Sequence, residues 1–472
     1  MLTSQEFYHN DGVTRRILEY CGVPIETARE FSWERNNLGN IANTMTSQYI
    51  SGWGRNLKER FGKEALSFKK ENIGELIDGG NNLFRALWDT NYITFFFDVE
   101  YVCNRDPKRI YTHSKEIFWQ MEPVYCTIKE VFNQYGIKPM TIATGQGYHF
   151  VFQVPWFCPE TRELVNIGYL EDTVKGKYQH LTHKRDIVVS DDEGRAFDGT
   201  GKVLEFIAQD VISRLNGFNI PVGIGDLVPG NEKREMINLD LSSYPDPLHL
   251  RVMRTAFSTH DKHRKKGLIL PVMVATPRYT PCNEHEIGID EIFHNRIHFE
   301  HSAEYANAIT CSMPWFGNEF GNLMRAYKSS DLFRFHQDFD ATGQEHHSKW
   351  PETYDRFDTR QLPDCIKFVL ENPNPNLLQP AQIQALVRVL TGKGWWHPSH
   401  VAGLIRSKYE RGNWEYEWRK YDANRHARVW TRIYSGMIAT GLDQRTDQNC
   451  LSRNEQGLCT SRNCKKKLEF YK

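Results

Sequence analysis

The spacing of apolar and polar positions changes period along this chain. Up to about residue 85 the apolar residues recur at helical intervals. Thr3-Ser4-Gln5-Glu6 has the spacing of a capping box ahead of an apolar-periodic run to Cys21. From Tyr92 the pattern shortens: ITFFFDVEYV and MTIATGQGYHFVFQVP are rich in β-branched and aromatic residues and predict strands. Between them HSKEIFWQMEPVYCTIKEVFNQYG has helical spacing and is expected to end at Gly136. Strand, helix, strand at this length predicts an α/β unit. KREMINLDL reads as a further short strand, followed by a turn-rich SSYPDP. Asn372-Pro373-Asn374-Pro375-Asn376 reads as a linker, because its prolines and asparagines oppose both helix and strand. Three helices are predicted beyond it, from Pro380 to about Leu390, from Pro398 to near Gly412, and from Asp422 to about Gly436.

Composition adds bounds to this pattern. A chain of 472 residues exceeds one ordinary domain, and roughly two to four are expected. The 40% hydrophobic content is enough for real cores. No window of about 18 apolar residues occurs, so no transmembrane helix is expected. The opening MLTSQEFYHNDGVTRR lacks the apolar centre of a signal peptide, which predicts a cytoplasmic location. Most of the 10 cysteines would then be reduced thiols. The zero net charge hides an asymmetry: from 391 onward Lys and Arg outnumber Asp and Glu by 16 to 8, against 43 to 51 before it. A basic tail on an acidic body points to a polyanion partner, or to a solvated helical surface.

Three stretches carry candidate chemistry. In FFFDVEY, Asp98 and Glu100 share one face of a strand and Val99 takes the other. Two buried carboxylates side by side cost several kcal/mol unless something positive faces them. A divalent Mg or Mn is one solution, since such ions prefer hard carboxylate oxygens; a pair of Arg or Lys side chains is the other. TGQGYHFVF places two glycines, able to turn tightly or approach a ligand, ahead of His149. Alone, such a histidine is more often a satisfied core residue. In LDLSSYPDPLHLRVMRTAFSTHDKHRKKG, Asp240 ends an apolar strand, and Arg251, Arg254, Ser258, His260 and Lys262 follow. Cations and hydroxyls at this density suit a triphosphate, or a solvated basic loop.

The order D-x-E, then G-x-G-Y-H, then a strand Asp followed by R-x3-S-x-H-x-K resembles the archaeo-eukaryotic primase superfamily, the primase-polymerases. The likeness spans roughly residues 90 to 265. It implies an α+β fold: an RRM-like antiparallel sheet beside an α/β unit. It also implies template-directed nucleotidyl transfer on single-stranded DNA from nucleoside triphosphates. Asp98, Glu100 and Asp240 would be the catalytic ligands of two Mg or Mn ions. His149, Arg254, Ser258, His260 and Lys262 would contact the nucleotide. Asp198, in FDGTGKVLEF, is a rival for the third carboxylate. No G-x4-GK[ST] occurs, so a helicase would be a separate chain. The regions expected are a helical start (1–85), the catalytic core (86–275), a mixed connection (276–371), the linker (372–380) and a helical basic domain with cysteines (381–472).

In that tail, Cys450, Cys459 and Cys464 form C-x8-C-x4-C, wider than the C-x2-C of a zinc ribbon. With His397, His400 or Cys365 as a fourth ligand they could hold zinc or an iron-sulfur cluster; plain buried thiols are the alternative. Two other functions fit parts of the sequence. A DnaQ-like 3′–5′ exonuclease also uses D-x-E and a later H-x4-D, supplied here by His285 and Asp290, but leaves TGQGYHF and the Arg254 cluster without a task. A non-catalytic replication or defence module would use only the basic tail.

Overall fold

The structure is a computed structural model that describes residues 2–63, 65–175, 189–225, 228–229, 233–245, 252–260, 276–279, 286–391, 396–412, 422–460, 464 and 466–468. The capping box forms, with the Thr3 hydroxyl and the Glu6 side chain each satisfying the other's backbone N–H at the start of α1 (Ser4–Tyr8). Asn10 then caps a second helix, α2 (Asp11–Tyr20), so the run to Cys21 is two helices.

The first 85 residues are less helical than their pattern predicts. They supply three strands, β1 (Ile50–Trp53), β2 (Ala65–Phe68) and β3 (Asn82–Ala86). Four or five residues are too few for a period of two to stand out. With the distant β9 (Val252–Arg254) they form a four-stranded antiparallel sheet in the order β2-β1-β3-β9.

The second sheet is built around β4 (Tyr92–Cys103). The helix that follows, α3 (Ser114–Asn133), ends three residues before Gly136, whose φ of 79° lies in the left-handed region glycine tolerates. β5 (Met140–Ala143) and β6 (Gly147–Pro155) form a hairpin closed at Thr144, whose N–H donates to the Gly147 carbonyl at 2.8 Å. β6 pairs antiparallel with both β5 and β4, so it lies between two strands that run parallel to each other. Two helices, α4 (Pro159–Ile167) and α5 (Asp191–Arg214), precede the short β7 (Val222–Gly223) and β8 (Glu235–Asp240). β8 pairs antiparallel along the other side of β4. With β10 (Thr276–Tyr279) the order among the described residues is β10-β5-β6-β4-β8-β7. The predicted α/β unit is therefore half of a split β-α-β-β-α-β arrangement. Its neighbouring strands are antiparallel except at β7, which makes the fold α+β.

Alternation along β4 sorts its residues. Phe95, Phe97 and Val99 are buried on one face, where the Phe97 ring meets Phe132 of α3 edge-on at 6.4 Å. Burying each such side chain stabilises the fold by about 1.5–3 kcal/mol. Asp98 and Glu100 project from the opposite face and stay partly exposed.

Beyond the second sheet come α6 (Ile289–Ile297), α7 (Asp331–Ala341) and α8 (Asp364–Glu371). The stretch read as a linker is exposed at 372–373 and half-buried at 374–376. It runs into one 3-10 turn, Pro375–Leu378, whose Leu377 and Leu378 are fully buried and anchor its end. The predicted C-terminal helices are α9 (Pro380–Thr391), α10 (Pro398–Tyr409) and α11 (Ala423–Ala439), followed by a short α12 (Cys450–Glu455). Among the described residues no helix is long and apolar enough to cross a membrane.

Candidate active site

The register of the second sheet aligns the three motifs. Asp98 of β4 is directly opposite His149 of β6 on one side and Asp240 of β8 on the other. Directly opposed residues share a face, with Cβ atoms about 5 Å apart. One transverse row thus carries Asp240, Asp98 and His149 across three strands. Glu100 stands two residues along the same face, opposite Gly147 and Asn238. Glycine is required at 147, because a Cβ there would lie 1.9 Å from the Val99 carbonyl oxygen.

His149 is almost completely buried. Its Nε2 lies 3.6 Å from Asp98 Oδ1, and Phe96 meets the ring edge-on at 4.8 Å. Burial first, and the charge of Arg254 second, lower its pKa to about 3. The imidazole is therefore neutral near pH 7, and the contact with Asp98 is not an ion pair. Its Nδ1 has no hydrogen-bond partner among the described residues. Asp240 carries a local turn: the Ser242 N–H donates to Oδ1 at 2.7 Å and the Ser242 hydroxyl to Oδ2 at 3.0 Å. Tyr111 lies close enough to Glu100 that, after burial, the carboxylate is the second cause raising its pKa to about 12.

The segment from Arg254 to His260 comes from the other sheet. Arg254 ends β9 opposite Phe84, stacks its guanidinium 4.6 Å above that ring and donates to the Thr259 carbonyl at 2.6 Å. Ser258 is engaged within the protein. Its buried hydroxyl donates to the Thr259 carbonyl and accepts the Leu83 N–H at 2.8 Å, so it staples the turn to β3. His260 is buried, and its ring fills the space beside Gly145: a Cβ there would sit 2.7 Å from Nε2. The glycine turn and the cationic segment therefore touch. Lys262 and Arg251 lie outside the described residues.

Sequence reasoning missed what holds this segment. Phe257, fully buried, has a φ of 60°, a left-handed conformation that a bulky side chain adopts only under constraint. The constraint comes from the far N-terminus. The Tyr8 hydroxyl accepts the Thr259 N–H at 2.8 Å and donates to the Asn81 carbonyl at 2.8 Å, while the Thr259 hydroxyl donates to Asn82 at 2.9 Å. No local signal marks Tyr8 for this task.

The rival Asp198 is occupied elsewhere. It is fully buried on α5, with Arg432 at 2.8 Å, Arg425 at 2.9 Å and Lys202 at 3.2 Å, and it accepts the Tyr169 N–H at 2.9 Å. Burial alone would raise its pKa, but these three cations and the amide hold it well below the usual carboxylate range. Asp290, in the first turn of α6, pairs with Lys115 at 2.6 Å on the surface; its partner in H-x4-D, His285, lies outside the described residues.

The tail ligands divide as well. His397 caps α10, accepting the Ser399 N–H at 3.2 Å, and its Nε2 lies 2.9 Å from Asp338 of α7. His400 faces the Tyr354 hydroxyl at 3.2 Å. Neither lines the cavity of Cys450, Cys459 and Cys464; Cys365 does. Among the described residues, no group of three or more His, Cys, Asp or Glu side chains is placed to hold a metal ion.

No family model, curated protein or solved structure matches this chain.

Proposed function

We infer that this protein is a primase-polymerase: a nucleotidyltransferase that builds RNA or DNA strands on a single-stranded DNA template. The observation that carries the reading is the row Asp240, Asp98, His149. Three motifs up to 142 positions apart, singled out for related chemistry, meet on one face of adjacent strands. The split β-α-β-β-α-β order supports it further, as it is the connectivity of an RRM-like sheet.

Asp98, Glu100 and Asp240 offer only hard carboxylate oxygens, a donor set suited to Mg or Mn, provided Asp240 turns away from Ser242. Bound there, such ions would supply the charge that activates the attacking hydroxyl and offsets negative charge at the phosphate. The chain's own residues do the rest. Neutral His149 offers an N–H at the row's edge that can donate to a phosphate oxygen without attracting a proton from solvent. Arg254, fixed over Phe84, supplies a positive charge beside it. Ser258 and His260 position that arginine and the glycine turn.

The test is an assay with single-stranded template, all nucleoside triphosphates and Mn, on the full chain and on Asp98→Ala and Asp240→Ala. New or extended strands from the parent, with a loss of roughly 10²–10³-fold in each variant, are expected, the scale of removing one electrostatic stabiliser of a transition state. Shortening of a labelled oligonucleotide would indicate the exonuclease instead. Unchanged synthesis in both variants would remove the assignment.

A further inference from the structure

The fold brings a fourth cysteine to the tail. Cys365 lies in the first turn of α8, Cys450 opens α12, and Cys459 and Cys464 follow it in the chain. All four line one small cavity together with Arg453 and Lys466. None of the four is in a disulfide. Ordinary core thiols would be scattered among apolar neighbours; four from two distant parts of the chain around one space require another cause.

Arg453 is the second observation. It is 1% exposed, donates to the Ala381 carbonyl at 3.1 Å and to the Gln382 side chain, and its Nε has no hydrogen-bond partner among the described residues. Among those residues no carboxylate pairs with it. Cys365, Cys459 and Cys450 lie near enough to act on its charge, after burial itself. A buried guanidinium with only uncharged hydrogen-bond acceptors carries a desolvation cost that they offset in part. Four thiolates around a divalent ion carry a net charge of about −2 and would balance it; in return the guanidinium favours thiolate over thiol.

The size of the space suits a single ion. The cavity measures about 10 Å³, room for about one atom-sized sphere. We propose that Cys365, Cys450, Cys459 and Cys464 form a four-thiolate site for a single thiophilic divalent cation of the zinc class, which ties the tail to α8. Each thiol turns inward and releases its proton to solvent as the metal–sulfur bond forms; Cys464, whose thiol now donates to the Lys466 carbonyl at 3.3 Å, exchanges that contact for the metal. The site is independent of the polymerase reading and would stand if that reading failed.

The test uses the full chain purified without chelator. Elemental analysis is expected to give about one zinc per chain and no iron. Replacement by Co(II) should produce the intense sulfur-to-metal absorption and visible bands of a tetrahedral four-thiolate centre. Cys365→Ser should weaken zinc binding by at least about tenfold, and His397→Ala should leave it unchanged. Should the Cys365 variant fail to fold, the Co(II) spectrum of the parent decides alone: one that reports a nitrogen ligand overturns the assignment. So does a brown protein with iron and sulfide, a chain that takes up neither zinc nor Co(II), or Cys365→Ser with parental affinity.

Discussion

Asp98 and Asp198 are the same residue type on apolar-flanked elements of the same sheet-and-helix layer, and their surroundings differ completely. Asp198 sits inside α5 with two arginines of α11 and Lys202 closing on it, and every charge there is answered within the protein. Asp98 sits on a partly exposed sheet face, flanked by a neutral histidine and a second aspartate. The first arrangement is a structural knot that joins the C-terminal helices to the core. The second sets the carboxylate beside another aspartate on a partly exposed sheet face, an arrangement that suits a cation arriving with a substrate. A carboxylate in a promising sequence context is thus sorted by what the fold brings against it.

The contrast can be broken most severely at Asp198. Asp198→Ala leaves Arg425 and Arg432 buried without their shared counter-charge and should cost about 3–5 kcal/mol in urea unfolding. The same knot gives an acid-side signature. Because the folded carboxyl titrates below its ordinary 3.8, its contribution is present above that value and is lost as pH falls below it. Loss of the variant's deficit at low pH would verify the assignment.

Asp98→Asn is expected to do the reverse. Unfolding should change by no more than about 1 kcal/mol, while strand synthesis falls by roughly 10²–10³-fold. If Asp98→Asn proves the less stable of the two variants, the comparison is inverted and Asp98 is the structural residue.

His149 sharpens the picture through pH. Its folded pKa of about 3 lies below the ordinary 6.5, so between those values the unfolded chain binds the extra proton. Stability from this group is complete above about 6.5 and declines as pH falls toward 3. His149→Gln should flatten that part of the stability–pH curve, and identical curves for the two proteins would show that the ring is not buried neutral.

The smallest effect is expected at Ser258. Ser258→Ala leaves the Leu83 N–H without its acceptor and should cost about 1–3 kcal/mol. Nucleotide KM should shift only through Arg254, so a large loss with stability intact would make Ser258 a direct ligand after all.

Much of this was legible residue by residue. FFFDVEY, TGQGYHF and the run after Asp240 announce themselves because placing charge or glycine in an apolar strand is costly unless it has a use. The C-terminal helices were visible from proline starts and apolar spacing, within a few residues. Cys365 was one candidate among three, since nothing local separates a ligand thiol from a core thiol. The short β1, β2 and β3 were not visible, because strands of four or five residues are stabilised by partners that are distant in the chain. Tyr8 could not be read either: its task depends on Thr259, which meets it only in the folded state.

The sequence by itself determined the chemistry available: which strands would carry carboxylates, where glycine had to stand, and that the tail held an unusual density of thiols and cations. Tertiary structure decided the pairings. Antiparallel register put Asp240 and His149 on either side of Asp98, three cations of α5 and α11 withdrew Asp198, and Cys365 rather than His397 joined the tail cysteines. The physical reason is the range of the interactions. Alternation and helical periodicity act over a few residues and are written in the local pattern. Counter-charges, register and shared cavities are settled between segments far apart in sequence, and only the packed chain brings them together.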